Sequence, residues 1–298
     1  MPSTSYHLII SGLKLMGIKR IFSKNPINYK RLRWFDVKRP SFLMRQRFKT
    51  EQFTIAETII TAIASKNSAS SKTHLLVFPG GAFISGPVQH HWDSIQTIVK
   101  KTNCSVWMVD YPKAPEFSFE QVNANVNEVY RVASERFGAA NLVLMGDSAG
   151  ANLILTLSQR LIAQHKDLPQ QLIPISPVMD ANLKNPAIDA IDKIDPMLSK
   201  AGLQAAKQLY ANGIDLQSPS ISPLFGSFDG FPKTLLFIGS RDLLYPDQAL
   251  AAKKMKASQM NLDLVEKADM PHVWPLLPVM KEAQEAMDKI IACIRDLT

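Results

Sequence analysis

The chain has 298 residues, 46% of them hydrophobic, which is enough to bury a large core in one or two domains. Its two cysteines form no C-x-x-C pair, which excludes a disulfide framework or a cysteine metal site. The net charge of +8 is concentrated at the N-terminus, where residues 1–50 carry twelve Lys and Arg against Asp36 alone.

That basic arm, residues 1–48, alternates its charges with Tyr6, Phe22, Trp34, Phe35 and Phe42. Such a mixture suits contact with an anionic membrane surface, or a solvated helix pair packed over a following domain, and we favour the second reading. No helix-turn-helix, zinc-knuckle or RNP pattern accompanies the charge, so nucleic acid is not an expected partner. The first seven residues hold no Lys or Arg, and Lys14 and Lys19 interrupt the apolar stretch Leu8–Phe22. Neither a secretory leader nor a membrane-spanning helix is expected, and the predicted location is cytoplasmic.

From residue 49 to 298 the pattern becomes alternating β and α. Residues 51–64, rich in Phe, Ile and Thr, suit two antiparallel strands turning near Ala56–Thr58. Segment 66–72 (KNSASSK) reads as an exposed turn. Short apolar runs recur at Leu75–Phe78, Cys104–Val109, Asn141–Met145, Leu172–Ile175, Thr234–Ile238 and Asn261–Val265. Continuous runs of this length fit parallel strands covered on both faces. Helical patterns lie between or after them at Trp92–Thr102, Gln121–Phe137, Ala149–His165, Pro246–Ser258 and Val279–Leu297. The predicted fold class is α/β, a mostly parallel doubly wound sheet. Residues 181–228 break the rhythm, and their spaced Ile, Leu and Met suit short helices. An interval longer than a normal connector points to a functional insertion. We read it, with the basic arm, as a helical cap over the sheet's C-terminal edge. The last strand candidate, Asn261–Val265, leaves a homodimer through a sheet edge open.

Gly146-Asp-Ser-Ala-Gly150 directly follows a strand candidate and has the G-x-S-x-G form of a nucleophile elbow, a sharp strand-to-helix turn presenting Ser148. A neutral hydroxyl needs a general base. His7, His74, His90, His91 and His165 lie outside the C-terminal region where the base is expected, whereas His272 occupies a loop after the last strand candidate. Asp242 follows the Thr234–Ile238 run and is the candidate acid; Asp247 fits a helix N-cap better, and Asp269 is too near His272 in sequence. The glycine-rich stretch after Phe78 offers the amides of Gly80 and Gly81, with that of Ala149, as oxyanion donors.

With these parts in place the chain resembles the hormone-sensitive-lipase-like branch of the α/β hydrolases, the capped bacterial esterases and acetyl-hydrolases. The resemblance rests on GDSAG at 146–150, DYPKAPE at 110–116, SPVMD at 176–180 and DPML at 195–198. It implies an α/β-hydrolase fold and carboxylic ester hydrolysis by Ser148, Asp242 and His272, with Gly80, Gly81 and Ala149 as oxyanion donors. The implied substrate is a small-molecule ester with a short- to medium-chain acyl group, and no cofactor or metal is called for. The chain departs from the family at Pro79, where a histidine is usual, and at Pro112-Lys113. Amide or formamide hydrolysis on the same triad, and a non-catalytic ligand-binding protein on this scaffold (the plant gibberellin receptor has such a fold), are the alternative readings.

Overall fold

The computed structural model describes residues 2–66, 71–211 and 213–297; most of the expected 66–72 turn lies outside the described residues. Eight strands form one sheet: β1 (Phe48–Ile55), β2 (Thr58–Ser65), β3 (His74–Phe78), β4 (Ser105–Asp110), β5 (Leu142–Asp147), β6 (Gln171–Ile175), β7 (Lys233–Gly239) and β8 (Leu262–Lys267). Their spatial order is β1-β2-β4-β3-β5-β6-β7-β8. The hairpin β1–β2 and the β2–β4 pair are antiparallel, and every later pairing is parallel. The predicted strands are all present, and the fold is the mostly parallel α/β sheet expected from the short apolar runs.

The alternation of side chains along the central strands builds two cores, one on each face of the sheet. Leu75, Val77, Val143, Met145, Ile173 and Phe237 face one way, whereas Leu76, Phe78, Leu144, Leu172, Leu236 and Ile238 face the other. Burial on both faces explains why these strands read as unbroken hydrophobic runs.

The helices are α1 (Thr4–Leu15), α2 (Ile18–Phe22), α3 (Tyr29–Leu32), α4 (Phe42–Arg47), α5 (Gln89–Thr102), α6 (Phe119–Phe137), α7 (Ala149–Ala163), α8 (Ile188–Asp192), α9 (Lys200–Tyr210), α10 (Tyr245–Ala257) and α11 (Lys281–Arg295). The face of Leu75 is covered by α5 and α11, with Tyr6, Ile10 and Leu13 of α1 in the same core; α6, α7 and α10 cover the other face. Where sequence periodicity suggests Trp92 and Gln121 as helix starts, the helices begin two or three residues earlier. Ser118 caps α6 through its Oγ, with Gln121 returning to the Ser118 amide, a reciprocal pair that satisfies two first-turn N–H groups.

Within the basic arm the structure departs from a simple helix pair. Four short helices are present, and they serve two faces. Ser3 anchors α1 to the start of α11, its amide and hydroxyl both donating to the Glu282 carboxylate. Phe22 instead joins the core that holds Leu198, Leu203 and Tyr210 of segment 181–228. That segment carries the short helices α8 and α9, as its spacing suggests. Two contacts tie it to the arm. Lys19 Nζ reaches the carbonyls of Asp192 and Asp195, and α9 passes so close to α2 that a Cβ on Gly202 would collide with the Phe22 carbonyl.

The contact at Gly202 is backbone against backbone, so no rotamer can relieve it. Gly202→Ala is expected to destabilise the protein by about 1–3 kcal/mol, the usual cost of an overpacked contact, read as a lower urea midpoint at unchanged m-value.

Candidate active site

The elbow sits where β5 meets α7. Ser148 has φ 52° and ψ −115°, a left-handed conformation that strains any residue with a Cβ. The turn is possible because its flanks are glycines. A Cβ on Gly146 would lie 2.6 Å from the Gly150 carbonyl oxygen, and one on Gly150 would penetrate the Phe78 carbonyl of β3. The Ser148 amide donates to Ile175 O at 2.9 Å, which pins the turn to the end of β6. Asn152, one helical turn on, holds the Val178 and Ile221 carbonyls at 2.7 and 2.8 Å.

Asp242 and His272 arrive from two different loops. Asp242 is fully buried past the end of β7; its Oδ1 accepts from the Leu244 amide and its Oδ2 from Gln248 Nε2. His272 Nδ1 lies 2.9 Å from the same Oδ2. The loop carrying His272 is tied to β6 one residue beyond the elbow's own anchor, because the Val273 amide donates to Ser176 Oγ at 3.0 Å. Ser148 and His272 are therefore held at adjacent residues of one strand end. Ser148 Oγ and His272 Nε2 make no hydrogen bond to any described residue, a looseness common in unliganded sites.

Burial by itself would depress the pKa of His272, but the Asp242 charge and hydrogen bond, helped by Asp195 and Asp147, outweigh it and raise the pKa above the ordinary imidazole value. Asp195 is raised by burial and by the nearby Asp242 charge, against three backbone amides that favour its ionised form. Of the rival acids, Asp247 lies in the first turn of α10, not at its N-cap, which is Leu244; Asp247 accepts from Asn185 Nδ2. Asp269 stays near the surface, its amide bonded to Ser240.

The glycine loop after β3 differs in one respect from expectation. The Gly80 amide donates to Asp147 Oδ1 at 3.0 Å, so it is already spent and is not available to an oxyanion. Gly81 and Ala82 amides carry no hydrogen bond to any described residue, and Ala149 is the first residue of α7, whose amide has no partner within the helix. Proline at position 79 keeps its carbonyl, which accepts from the buried Tyr111 hydroxyl at 2.9 Å. The peptide joining Pro79 to Gly80 is thus gripped at both its carbonyl and its amide. At the other departure from the family pattern, Lys113 Nζ reaches Asp110 Oδ1 at 3.1 Å. Arg33 of the basic arm supplies a bidentate pair to Glu116 in the same block, at 2.8 and 2.7 Å.

His91 lies far upstream of the expected base position in the sequence, yet it is built into this site. Its Nε2 is 3.0 Å from Asp147 Oδ1, while Val88 N–H donates to its Nδ1 at 2.9 Å. That second bond assigns the ring proton to Nε2, which donates to the carboxylate. Burial would raise the Asp147 pKa, but the facing His91, with His90 and the Gly80 amide, holds it below the usual carboxylate range. The His90 pKa is lowered as well, to about 3, first by burial and then by its histidine neighbours. His90, His91 and Asp147 place three ligand-type atoms within 4.8 Å of one another. The shared Asp147 oxygen already accepts two N–H bonds, so Asp147 and His91 act as a hydrogen-bond brace, whereas His90 Nε2 is buried without a partner.

The family whose description is alpha/beta hydrolase fold matches residues 75–276. An esterase of Acinetobacter venetianus is 32% identical over 199 residues, 66% of each chain. An acetyl-hydrolase of Streptomyces hygroscopicus is 28% identical over 227 residues, 75% of this chain and 76% of the relative. Among solved structures, an esterase/lipase from an uncultured bacterium superposes with a TM-score of 0.85 at 23% identity, covering 99% of both chains. An esterase of the bacterial hormone-sensitive lipase family gives 0.85 at 22% identity, over 100% of this chain and 99% of that one.

The brace predicts the behaviour of His91→Ala. Removing one partner of a buried pair leaves Asp147 with the Gly80 amide alone and should cost about 3 kcal/mol in urea denaturation. Esterase kcat should fall with little change in KM, since the Asp147 carboxylate that positions the glycine loop loses the His91 contact that fixes it. His91→Gln, which keeps an N–H donor, should recover part of both.

Proposed function

The chain belongs to the α/β-hydrolase-fold family, among its esterases and lipases, and on that premise we propose that it hydrolyses carboxylic esters of short- to medium-chain acids through Ser148, His272 and Asp242. The observation that carries this reading is the 2.9 Å contact between His272 Nδ1 and the fully buried Asp242 carboxylate, in a loop tied beside the strained serine turn. Asp242 fixes the imidazole tautomer with the proton on Nδ1, which leaves Nε2 as the base. Ser148 Oγ attacks the ester carbonyl carbon as Nε2 takes its proton. The negative charge that develops on the carbonyl oxygen is received by the amides of Gly81, Ala82 and Ala149, Ala82 standing where Gly80 was expected.

Collapse of the tetrahedral adduct breaks the C–O bond of the alcohol, which leaves with the proton from His272. Water then attacks the acyl-enzyme, again giving its proton to Nε2, and the acid departs as Ser148 is restored. Segment 181–228 supports a cap role, since Asp195 Oδ2 accepts from the Leu243 amide directly after Asp242. In that role the cap's Leu, Ile and Met side chains set the acyl length that fits.

Ser148→Ala should lower kcat for p-nitrophenyl butyrate by about 10⁴-fold or more at unchanged thermal stability; full retention of turnover would sink the proposal. The pH profile supplies a second test. His272 must be neutral to act as base, so kcat/KM should rise with pH through an acid limb lying above the ordinary imidazole value of 6.5. In Asp242→Asn the residual activity, lower by about 10⁴-fold, should titrate at lower pH, because the carboxylate that stabilises the imidazolium is gone.

A further inference from the structure

A cleft of about 680 Å³ opens between the N-terminal arm, segment 193–196 and the loop after β7. None of Ser148, Asp242 and His272 lines it. Its wall carries five cations, Lys14, Lys19, Arg20, Lys193 and Arg241, and a single carboxylate, Asp195. That carboxylate does not neutralise the cleft. Asp195 is only 2% exposed, its Oδ1 accepting from the Met197 and Leu198 amides and its Oδ2 from the Leu243 amide.

The cations differ in how far they are committed. Lys19 is held by Asp192, and Arg241 Nη1 donates to the Tyr6 hydroxyl at 2.7 Å. Arg241 Nε, however, is buried without a hydrogen-bond partner, a donor that folding has desolvated and left unmatched. Lys14, Arg20 and Lys193 are exposed, and their side chains pair with no described residue. Converging positive charge of this kind raises the local concentration of anions. The rim is apolar: Leu15 and Ile194 also line the cleft and are 88% and 51% exposed. On α1, Leu15 and Leu8 project opposite the buried stripe of Tyr6, Ile10 and Leu13, so the apolar rim continues along the solvent face of that helix.

We propose that this cleft binds an anionic amphiphile, an oxyanion head on a single alkyl or acyl chain. The head sits among Lys14, Arg20 and Lys193, and the chain lies along Leu15 and Ile194. The volume falls within the range of small-ligand sites. A carboxylate and a phosphate monoester share the chemistry the cations recognise. The inference does not depend on the hydrolytic reading, because binding is measured directly and the catalytic residues stand outside the cleft.

Isothermal titration of the full chain with decyl phosphate, decanoate and the uncharged decyl glucoside tests it, each below its micelle threshold, with the reactive serine first blocked by a fluorophosphonate. Decyl phosphate, decanoate or both should bind, the pattern assigning the head, and affinity should weaken as salt is raised. The triple variant Lys14→Glu, Arg20→Glu, Lys193→Glu should lose about ten-fold or more in affinity while keeping p-nitrophenyl acetate turnover within about two-fold. Should it fail to fold, Arg20→Glu and Lys193→Glu alone should each lose about three-fold. No binding of either anion, equal binding of the glucoside, or unchanged affinity in the variants would overturn the proposal.

Discussion

One buried carboxylate sets the geometry on which the site depends. Asp147, immediately ahead of the serine, accepts from the Gly80 amide and from His91. It thereby joins the end of β5, the glycine loop after β3 and the first turn of α5 at a single atom. Loop amides left to themselves would sample many orientations, and freezing each residue costs about 1–2 kcal/mol. Here the cost is offset by burying a satisfied, charge-assisted network in the same place. A side chain at position 80 would meet the Asp147 carboxylate and carbonyl, so the glycine is required by the brace itself.

The same low-dielectric pocket shapes the electrostatics around His272. Asp242, Asp195 and Asp147 all raise its proton affinity, and only the first touches it. Three buried carboxylates close to one imidazole would repel one another strongly if bare. Each is instead solvated by protein amides: Leu244 for Asp242, three for Asp195, and Gly80 for Asp147. This division of labour gives the fully buried Asp242 carboxylate its own amide partner and leaves its other oxygen to hold the ring in one tautomer.

The basic arm is less a separate domain than a strap. Its first helix is stitched to α11 through Ser3 and Glu282, its second to the inserted helices through Phe22 and Lys19, and Arg33 to the block after β4 through Glu116. Each stitch uses a specific partner, yet other cations are left over, and two of them, Lys14 and Arg20, line the cleft beside Asp195. The excess charge of residues 1–50 is therefore partly structural and partly presented to solvent.

Local pattern was sufficient for a large share of this protein. Short unbroken apolar runs marked the strands because both sheet faces are covered, and the G-x-S-x-G spacing marked the elbow because only glycine tolerates the approach to Gly150 and Phe78. Chain order singled out Asp242 and His272, which the fold brings to 2.9 Å. Pattern could not say which loop amides are free, since the capture of Gly80 by Asp147 joins residues 67 apart in the chain. Nor could it reveal His91, which has no motif around it and gains its role from a carboxylate 56 residues downstream. The split of the basic arm between two faces is of the same kind. Periodicity and turn chemistry are local, so the sequence by itself determined the elements and the elbow. Hydrogen-bond pairing across long chain separations is decided when the layers pack, and only the tertiary structure determined how the glycine loop is held.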